Sequence, residues 1–303
     1  MDTQSLRLFV LACEKLNISA AGRALGMAPA VASTRIAKLE HFVGAELLHR
    51  STRKVSLSIE GQDFLPYARE MIAQEEAALA ALGKGRTQIS GTLRFAAPSS
   101  FAQLYIAPQL PKFIDLYPDL TLDLHLSDTQ FDLIEGSYDL ALRNSVLEDS
   151  TLTARKLADD QRILCASPEY LDRHGTPKTP DDLQTHRLIA FRNLEQRDLV
   201  STDGTSAVYD PKRAAHRLLL NDGMTQKKLT VEGMGISINS LWSVHKELSD
   251  GSLIRVLDDY ELADTPALWL IYPKSNVVSA KVRVFMDFLI EQIGRKKPWH
   301  GVP

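Results

Sequence analysis

Cysteine is almost absent from this 303-residue chain: Cys13 and Cys165 are the only two, and they lie far apart. So few exclude a disulfide scaffold, and with no C-x-x-C spacing both are read as plain thiols. No run of about 18 apolar residues occurs, so no membrane-crossing helix and no membrane partner are expected. Met1-Asp2-Thr3-Gln4 offers neither a basic leader nor a cleavage site, which argues for a cytoplasmic protein. The P-loop, G-x-G-x-x-G, H-E-x-x-H and G-x-S-x-G patterns are all missing. Ser243-Val244-His245-Lys246 matches S-x-x-K, but partner motifs are absent and so short a match arises by chance. The chain is therefore not read as an enzyme, and neither a cofactor nor a metal is expected.

What is present is ordinary globular composition, 44% apolar and 24% charged, at a length that suits two or three domains. Charge is unevenly placed. Residues 1–58 hold eight Lys/Arg against four Asp/Glu and the remainder 27 against 34, so a +4 head precedes a -7 body in a chain of net charge -3. A basic end on an acidic body suits contact with nucleic acid at that end.

In the head, apolar spacing predicts a helix over 4–15 with Leu6, Phe9, Val10 and Cys13 on one face. Ser19 is placed to cap a second helix, Ala20 to Leu25, and Gly26 to make the tight turn of a helix-turn-helix. A third helix is expected from Pro29 to Phe42 with Val31, Ile36 and Leu39 inward. Ser33, Thr34, Arg35 and Lys38 then form its polar side, where such groups reach base edges or phosphates in a major groove. His49 to Leu57 reads as a basic hairpin, a wing whose Arg50, Arg53 and Lys54 would touch phosphate.

From Ser58, read as a cap, one long helix is expected to about Leu82. Leu65, Ala68, Ile72, Leu79 and Leu82 make a heptad seam for a second copy of the chain, weakened by the charge of Glu75. The alternative is a helix packed on its own domain. Gly83 to Thr87 reads as a hinge. Beyond it, strands are expected at Gly91–Ala97, Leu120–Leu126 and Tyr138–Arg143, with helices from Pro98 to about Tyr117 and from Phe131 to Gly136. Such alternation implies α/β units with largely parallel sheets. Ser99 and Ser100 stand at a helix start, where free N–H groups favour an anion, and Arg143 at a strand end can pair with an acid.

Several segments carry a family resemblance. Leu6-Arg7-Leu8-Phe9-Val10, Ser19-Ala20-Ala21-Gly22-Arg23-Ala24-Leu25-Gly26, Arg35-Ile36-Ala37-Lys38-Leu39-Glu40 and Leu47-Leu48-His49-Arg50 resemble, in order and spacing, the head of LysR-type transcriptional regulators. Gly91-Thr92-Leu93-Arg94, Tyr117-Pro118-Asp119-Leu120, Asp139-Leu140-Ala141-Leu142-Arg143, Ala166-Ser167-Pro168-Glu169-Tyr170-Leu171 and Glu232-Gly233-Met234-Gly235-Ile236 resemble their effector domain, so essentially the whole chain is covered.

The resemblance implies an α plus α/β multidomain protein: a winged helix-turn-helix over 1–58, a dimerising linker helix and hinge over 59–88, and a two-lobed effector domain like periplasmic binding proteins over 89–303. Lobe 1 would take about 89–162 and 267–303, lobe 2 about 163–266. It further implies a regulator of double-stranded operator DNA, built as a homo-oligomer (a dimer of dimers) and acting on RNA polymerase under control of a small effector between the lobes. Ser99, Ser100 and Arg143 would meet that effector, a carboxylate, with Ser127, Phe191 and Ile236 added by family position. The chain departs from the family pattern at Ala28 and Ala30, where polar residues are usual, and at Ser237-Ile238-Asn239. Two alternatives stand beside this reading: a secreted solute-binding protein, and a DNA-binding regulator that senses pH or redox, with Cys165 near a lobe crossing.

Overall fold

The computed structural model describes residues 1–50, 55–81, 89–129, 138–145, 152–192, 196–214, 216–264, 266–273 and 278–299. The chain forms two compact units, Met1–Ile89 with Ser275–Arg283, and Ser90–Lys274 with Val284–Pro303.

The first unit contains α1 (Thr3–Lys15), α2 (Ile18–Ala24), α3 (Pro29–Val43), an antiparallel pair β1 (Leu48–Arg50) and β2 (Val55–Leu57), and the long α4 (Ile59–Ala81). Asp2 caps α1, accepting from the Ser5 N–H at 2.8 Å. Asn17 rather than Ser19 caps α2: its side chain accepts from the Ala20 N–H at 2.8 Å, so the helix starts two residues earlier than expected. Gly26 makes the turn at φ 71°. Ala28 gives α3 no side-chain cap, and Pro29 occupies its first turn. The inward stripe of α3 is Ala32, Ile36 and Leu39, at helical spacings of four and three. Val31 lies off that stripe and is 54% exposed, which corrects its expected inward place.

One core joins all these elements: Leu6, Leu8, Phe9 and Ala12 of α1, Ile18 and Ala21 of α2, the α3 stripe, Leu47, Leu48 and Val55 of the wing, and Leu65 and Ala68 of α4. The seam assigned to a second copy is corrected here for Leu65 and Ala68, which are buried in their own chain, with Ile72 packed against the same core. Glu75 also faces its own α1, accepting from Thr3 Oγ1 at 2.8 Å and pairing with Arg7 at 3.2 Å. Leu79 is 46% exposed; Leu82 and the hinge at 83–87 lie outside the described residues.

The second unit runs through β3 (Gly91–Ala97), α5 (Ser99–Phe101), α6 (Leu110–Leu116), β4 (Leu120–Leu126), β5 (Leu140–Ser145) and β6 (Leu152–Asp159). It continues with β7 (Arg162–Ala166), α7 (Pro168–His174), β8 (Arg187–Phe191), β9 (Arg197–Ser201), β10 (Ser206–Tyr209), β11 (His216–Leu220) and α8 (Gly223–Val231). Then come β12 (Ile236–Ser240), α9 (Leu241–Ser249), β13 (Ile254–Arg255), β14 (Tyr260–Leu262), β15 (Ala267–Pro273) and, in this unit from Val284 onward, α10 (Ala280–Leu289). The single helix expected after β3 is broken: between α5 and α6 the backbone widens over Ala102–Ile106 and tightens over Ala107–Gln109. Pro108 and Pro111 lack the N–H groups that would continue one α-helical ladder. The segment expected as a helix over Phe131 to Gly136 lies outside the described residues.

Two five-stranded sheets define two lobes, in the orders β4-β3-β5-β15-β6 and β11-β8-β12-β7-β13, with a smaller β10-β9-β14 sheet beside the second. Both large sheets are mixed rather than largely parallel. β3 is parallel to β4 and β5, but β15 is antiparallel to β5 and β6; β8 is parallel to β11 and β12, but β7 is antiparallel to β12 and β13. The antiparallel strands follow from the path of the chain, which enters the second lobe between β6 and β7 and returns between β14 and β15. The Asp160 N–H donates to the Pro266 carbonyl at 3.1 Å, tying the two crossings together. Phe95, Phe113, Phe285 and Phe288 fill the first lobe with edge-to-face and tilted ring pairs, at 4.8–5.1 Å between ring centres. Leu164, Tyr170, Leu188, Leu199 and Ile236 anchor the core of the second.

Candidate functional site

Two surfaces carry the candidate residues, one on each unit. On the first, α3 presents Thr34 and Lys38 exposed and Ser33 half-buried. Thr34 Oγ1 donates to the Ala30 carbonyl at 2.9 Å, so its hydroxyl proton is committed to its own helix. Arg35 turns back to α1, donating to Gln4 Oε1, with its other terminal nitrogen 3.9 Å from the Asp2 carboxylate. Arg35 thus also ties α3 to α1. Lys38 has no ion pair among the described residues and is the clearest cation on this face. Arg50 ends β1; its side chain, and the whole of Arg53 and Lys54, lie outside the described residues.

On the second unit, a cleft of about 320 Å³ opens between the two sheets. Ser100, Ser127, Arg143 and Phe191 line it. Ser99, the first residue of α5, does not line it. Ile236 is corrected as a contact: it is fully buried in the second lobe's core. The lining residues sit at or just past the carboxyl ends of the parallel strands β3, β4, β5 and β8, where open α/β sheets commonly receive ligands.

Of the charges in the cleft, the sequence pointed only to Arg143. Arg162 and Arg197 line it together with Arg143. Asp160, whose side chain is fully buried, accepts on Oδ2 from Asn144 Nδ2 at 2.9 Å, Arg162 Nε at 3.0 Å and Ser240 Oγ at 3.0 Å. Asp264 in turn pairs with Arg197 and lies 4.0 Å from Arg162. This ion network joins the chain where it enters the second lobe, at Asp160, to the chain where it leaves, at Asp264. Gln226 and Trp242 add buried polar edges to the lining.

Cys165 lies in β7 with no exposure, and Asn239 Nδ2 donates to its sulfur at 3.4 Å. Burial pushes its thiol up to about 12 from an ordinary value of 9.0. The thiolate, the reactive form, is thus suppressed at neutral pH. The unfolded thiol ionises first as pH rises through 9, so this group's contribution to stability is complete below pH 9 and lost between 9 and 12. A maleimide reagent at pH 7.5 is expected to modify at most Cys13 in the native protein and both thiols after denaturation. Native labelling of Cys165 at the rate of Cys13 would contradict the buried site.

Comparison with known proteins accords with this architecture. Residues 3–62 match the model described as "Bacterial regulatory helix-turn-helix protein, lysR family", and residues 86–294 match "LysR substrate binding domain". The chain is 31% identical over 298 residues to the HTH-type transcriptional regulator DmlR of Escherichia coli (strain K12), covering 97% of this chain and 95% of that one. It is 31% identical over 293 residues to the regulator CrgA of Neisseria meningitidis serogroup C, covering 97% of each. Among solved structures, CrgA from Neisseria meningitidis aligns at a TM-score of 0.61 and 30% identity, over 97% of this chain and 99% of that one. Full-length AphB, the Vibrio cholerae virulence activator, aligns at 0.59 and 28% identity, over 96% and 99%. With both of its parts matched and its length shared, the chain belongs to the LysR family: it is a DNA-binding transcriptional regulator with an effector-binding domain.

Proposed function

We propose that a small carboxylate bound in the cleft between the two lobes controls this regulator's action on its operator. The observation that carries the reading is the convergence of Arg143, Arg162 and Arg197 on one concave surface, since guanidinium forks recognise carboxylates in a fixed geometry. Arg143 is the principal contact, with Ser127 and Phe191 positioning the ligand. Ser33, Thr34, Arg35 and Lys38 of α3, with Arg50, Arg53 and Lys54 of the wing, are the residues proposed to meet DNA. Leu79, exposed on α4, and Leu82 are proposed to meet a second copy in a dimer of dimers, and RNA polymerase is the target acted on. Among the described residues no helix is long and apolar enough to cross a membrane, and a cytoplasmic site of action follows from the proposed operator binding. Sensing by Cys165 chemistry is disfavoured by its full burial.

Thermal unfolding of the full chain against a panel of small mono- and dicarboxylic acids tests the reading. An acid at a hundred times its Kd is expected to stabilise the folded state by about 2.7 kcal/mol, and Arg143→Ala to abolish the shift. A panel without effect on the wild-type midpoint, or a shift that survives Arg143→Ala, would discard the carboxylate reading.

A further inference from the structure

The anion position that the sequence indicates at the start of α5 is already filled, and by the chain itself. Asp128, two residues past β4, accepts on Oδ1 from the Ser100 N–H at 3.2 Å and from Ser100 Oγ at 3.3 Å. Its other oxygen accepts from the N–H of Gly223, the first residue of α8, at 2.7 Å. Ser100 and Asp128 belong to the first lobe and Gly223 to the second, so one carboxylate bridges both walls of the cleft it lines. We propose that Asp128 is a resident ligand of the cleft, holding the two lobes together at this end and refusing a second acid group to any effector bound at the arginine end.

Three observations support the assignment. First, the approach is close: a Cβ on Gly223 would lie 3.1 Å from Ser100 Oγ and 3.3 Å from Asp128 Oδ2, so a larger residue would press on the hydroxyl and the carboxylate and shift them. Second, α8 has its own cap, Asp222, which accepts from the Thr225 N–H at 2.7 Å; Asp128 is an additional carboxylate at this helix start, brought from the other lobe. Third, Asp128 is tethered: the Ser127 N–H donates to the Ala97 carbonyl at 3.0 Å, holding the end of β4 beside the end of β3. A group so held competes with free ligands at an effective concentration in the millimolar range or above. Hydrogen bonds to an ionised acceptor are also about twice as strong as neutral ones. A free carboxylate at metabolite concentration therefore loses the N–H groups to Asp128 and is left with Arg143, Arg162 and Arg197.

The selectivity part rests on the cleft being an effector site; the bridging part does not. Hydrogen–deuterium exchange of the full chain, read by mass spectrometry on peptides spanning Ser100 and Gly223, tests the bridge with no effector present. In Asp128→Ala both amides are expected to exchange about tenfold faster or more, the loss of one charge-assisted bond each. Sodium formate at about 100 mM, against sodium chloride of equal ionic strength, should return them toward the wild-type rate, because a free carboxylate then refills the emptied position. The wild type should not respond to formate. Asp128→Asn should fall between, since its amide presents a donor to one of the two N–H groups. Unchanged rates in Asp128→Ala, or faster rates that formate does not reverse, would overturn the proposal. Should Asp128→Ala not fold, Gly223→Ala probes the same contact from the other lobe, and an unaltered Ser100 amide there would equally overturn it. Failure of the acid panel on wild-type protein with formate reversal intact would sink the effector reading and leave the bridge standing.

Discussion

Asp160→Ala is expected to destabilise the two-lobed unit by about 3 kcal/mol, the low end of the range for removing one partner of a buried pair. For a unit of this size that is a fall of roughly 6–12 °C in its calorimetric midpoint. The expectation follows from the carboxylate's place. Its side chain is fully buried, and three donors, from Asn144, Arg162 and Ser240, converge on one of its oxygens. Removing it strands all three, and a buried donor left without an acceptor costs its full desolvation. Two features hold the cost at the low end: Arg162 keeps 17% exposure, and Asp264 lies 4.0 Å away as a substitute partner. Asp160→Asn separates charge from shape. It keeps one acceptor for Ser240 and Asn144 but removes the charge that Arg162 needs, so it should cost about half as much. An Asn variant as damaged as the Ala variant would assign the whole effect to the ion pair. An Ala variant within about 1 kcal/mol of wild type would show that the network does not hold the crossings.

The layout of the chain was largely legible, because periodicity and punctuation report local physics. β3 and β4 begin and end where alternation said they would, at Gly91–Ala97 and Leu120–Leu126, and the turn at Gly26 adopts the positive φ its glycine suggested. The errors share one origin, in that a pattern names a face without naming what covers it. Leu65 and Ala68 read as a seam for a second chain and are buried by α1 of their own. Nor does a basic side chain such as Arg35 on a helix give any sign that Gln4 and Asp2 will be folded beside it. The cleft was half legible for the same reason. Ser100 and Ser127 follow β3 and β4 while Arg143 and Phe191 lie in β5 and β8, each near a parallel strand's end, so local order nearly places them. Asp128, Arg162, Arg197 and Asp264 become a site only when the chain has crossed between sheets and returned, and no local spacing encodes that. Position offered one clue to Asp128: it follows β4 at the carboxyl end of a parallel strand, as Ser100 follows β3.

Gly61 shows how far a sequence reading and a structural one can diverge at a single residue, because here they differ in sign. As a glycine inside α4 it costs about 1 kcal/mol against alanine, so helix propensity alone predicts that Gly61→Ala stabilises the head. The packing predicts the reverse. A Cβ at position 61 would lie 2.0 Å from the Leu47 carbonyl oxygen, 2.9 Å from its carbon and 3.1 Å from Leu57 Cδ2. The obstacle is backbone at the base of the wing, which cannot rotate out of the way as a side chain does. It is also fixed there: the Ser58 N–H donates to that same carbonyl at 3.1 Å, Ser58 Oγ donates to the Glu46 carbonyl at 2.5 Å, and the N–H groups of Leu47 and Leu48 donate to Glu40 at 3.1 and 3.2 Å. To admit a methyl group α4 must lift from β1 and β2, opening the core that Leu47, Leu48, Leu65 and Ala68 share. Overpacking of this kind costs about 1–3 kcal/mol, enough to exceed the gain in propensity. Affinity for a mixed-sequence DNA duplex at low salt should fall about tenfold as wing and α3 lose their common base. Gly26→Ala is the matched comparison: no atom lies within 4 Å of its Cβ, so only the cost of a positive φ remains, about 1 kcal/mol. Thermal unfolding of the two variants decides the matter. Gly61→Ala below Gly26→Ala supports a packed contact between α4 and the wing, whereas Gly61→Ala at or above wild type means that α4 does not sit against Leu47.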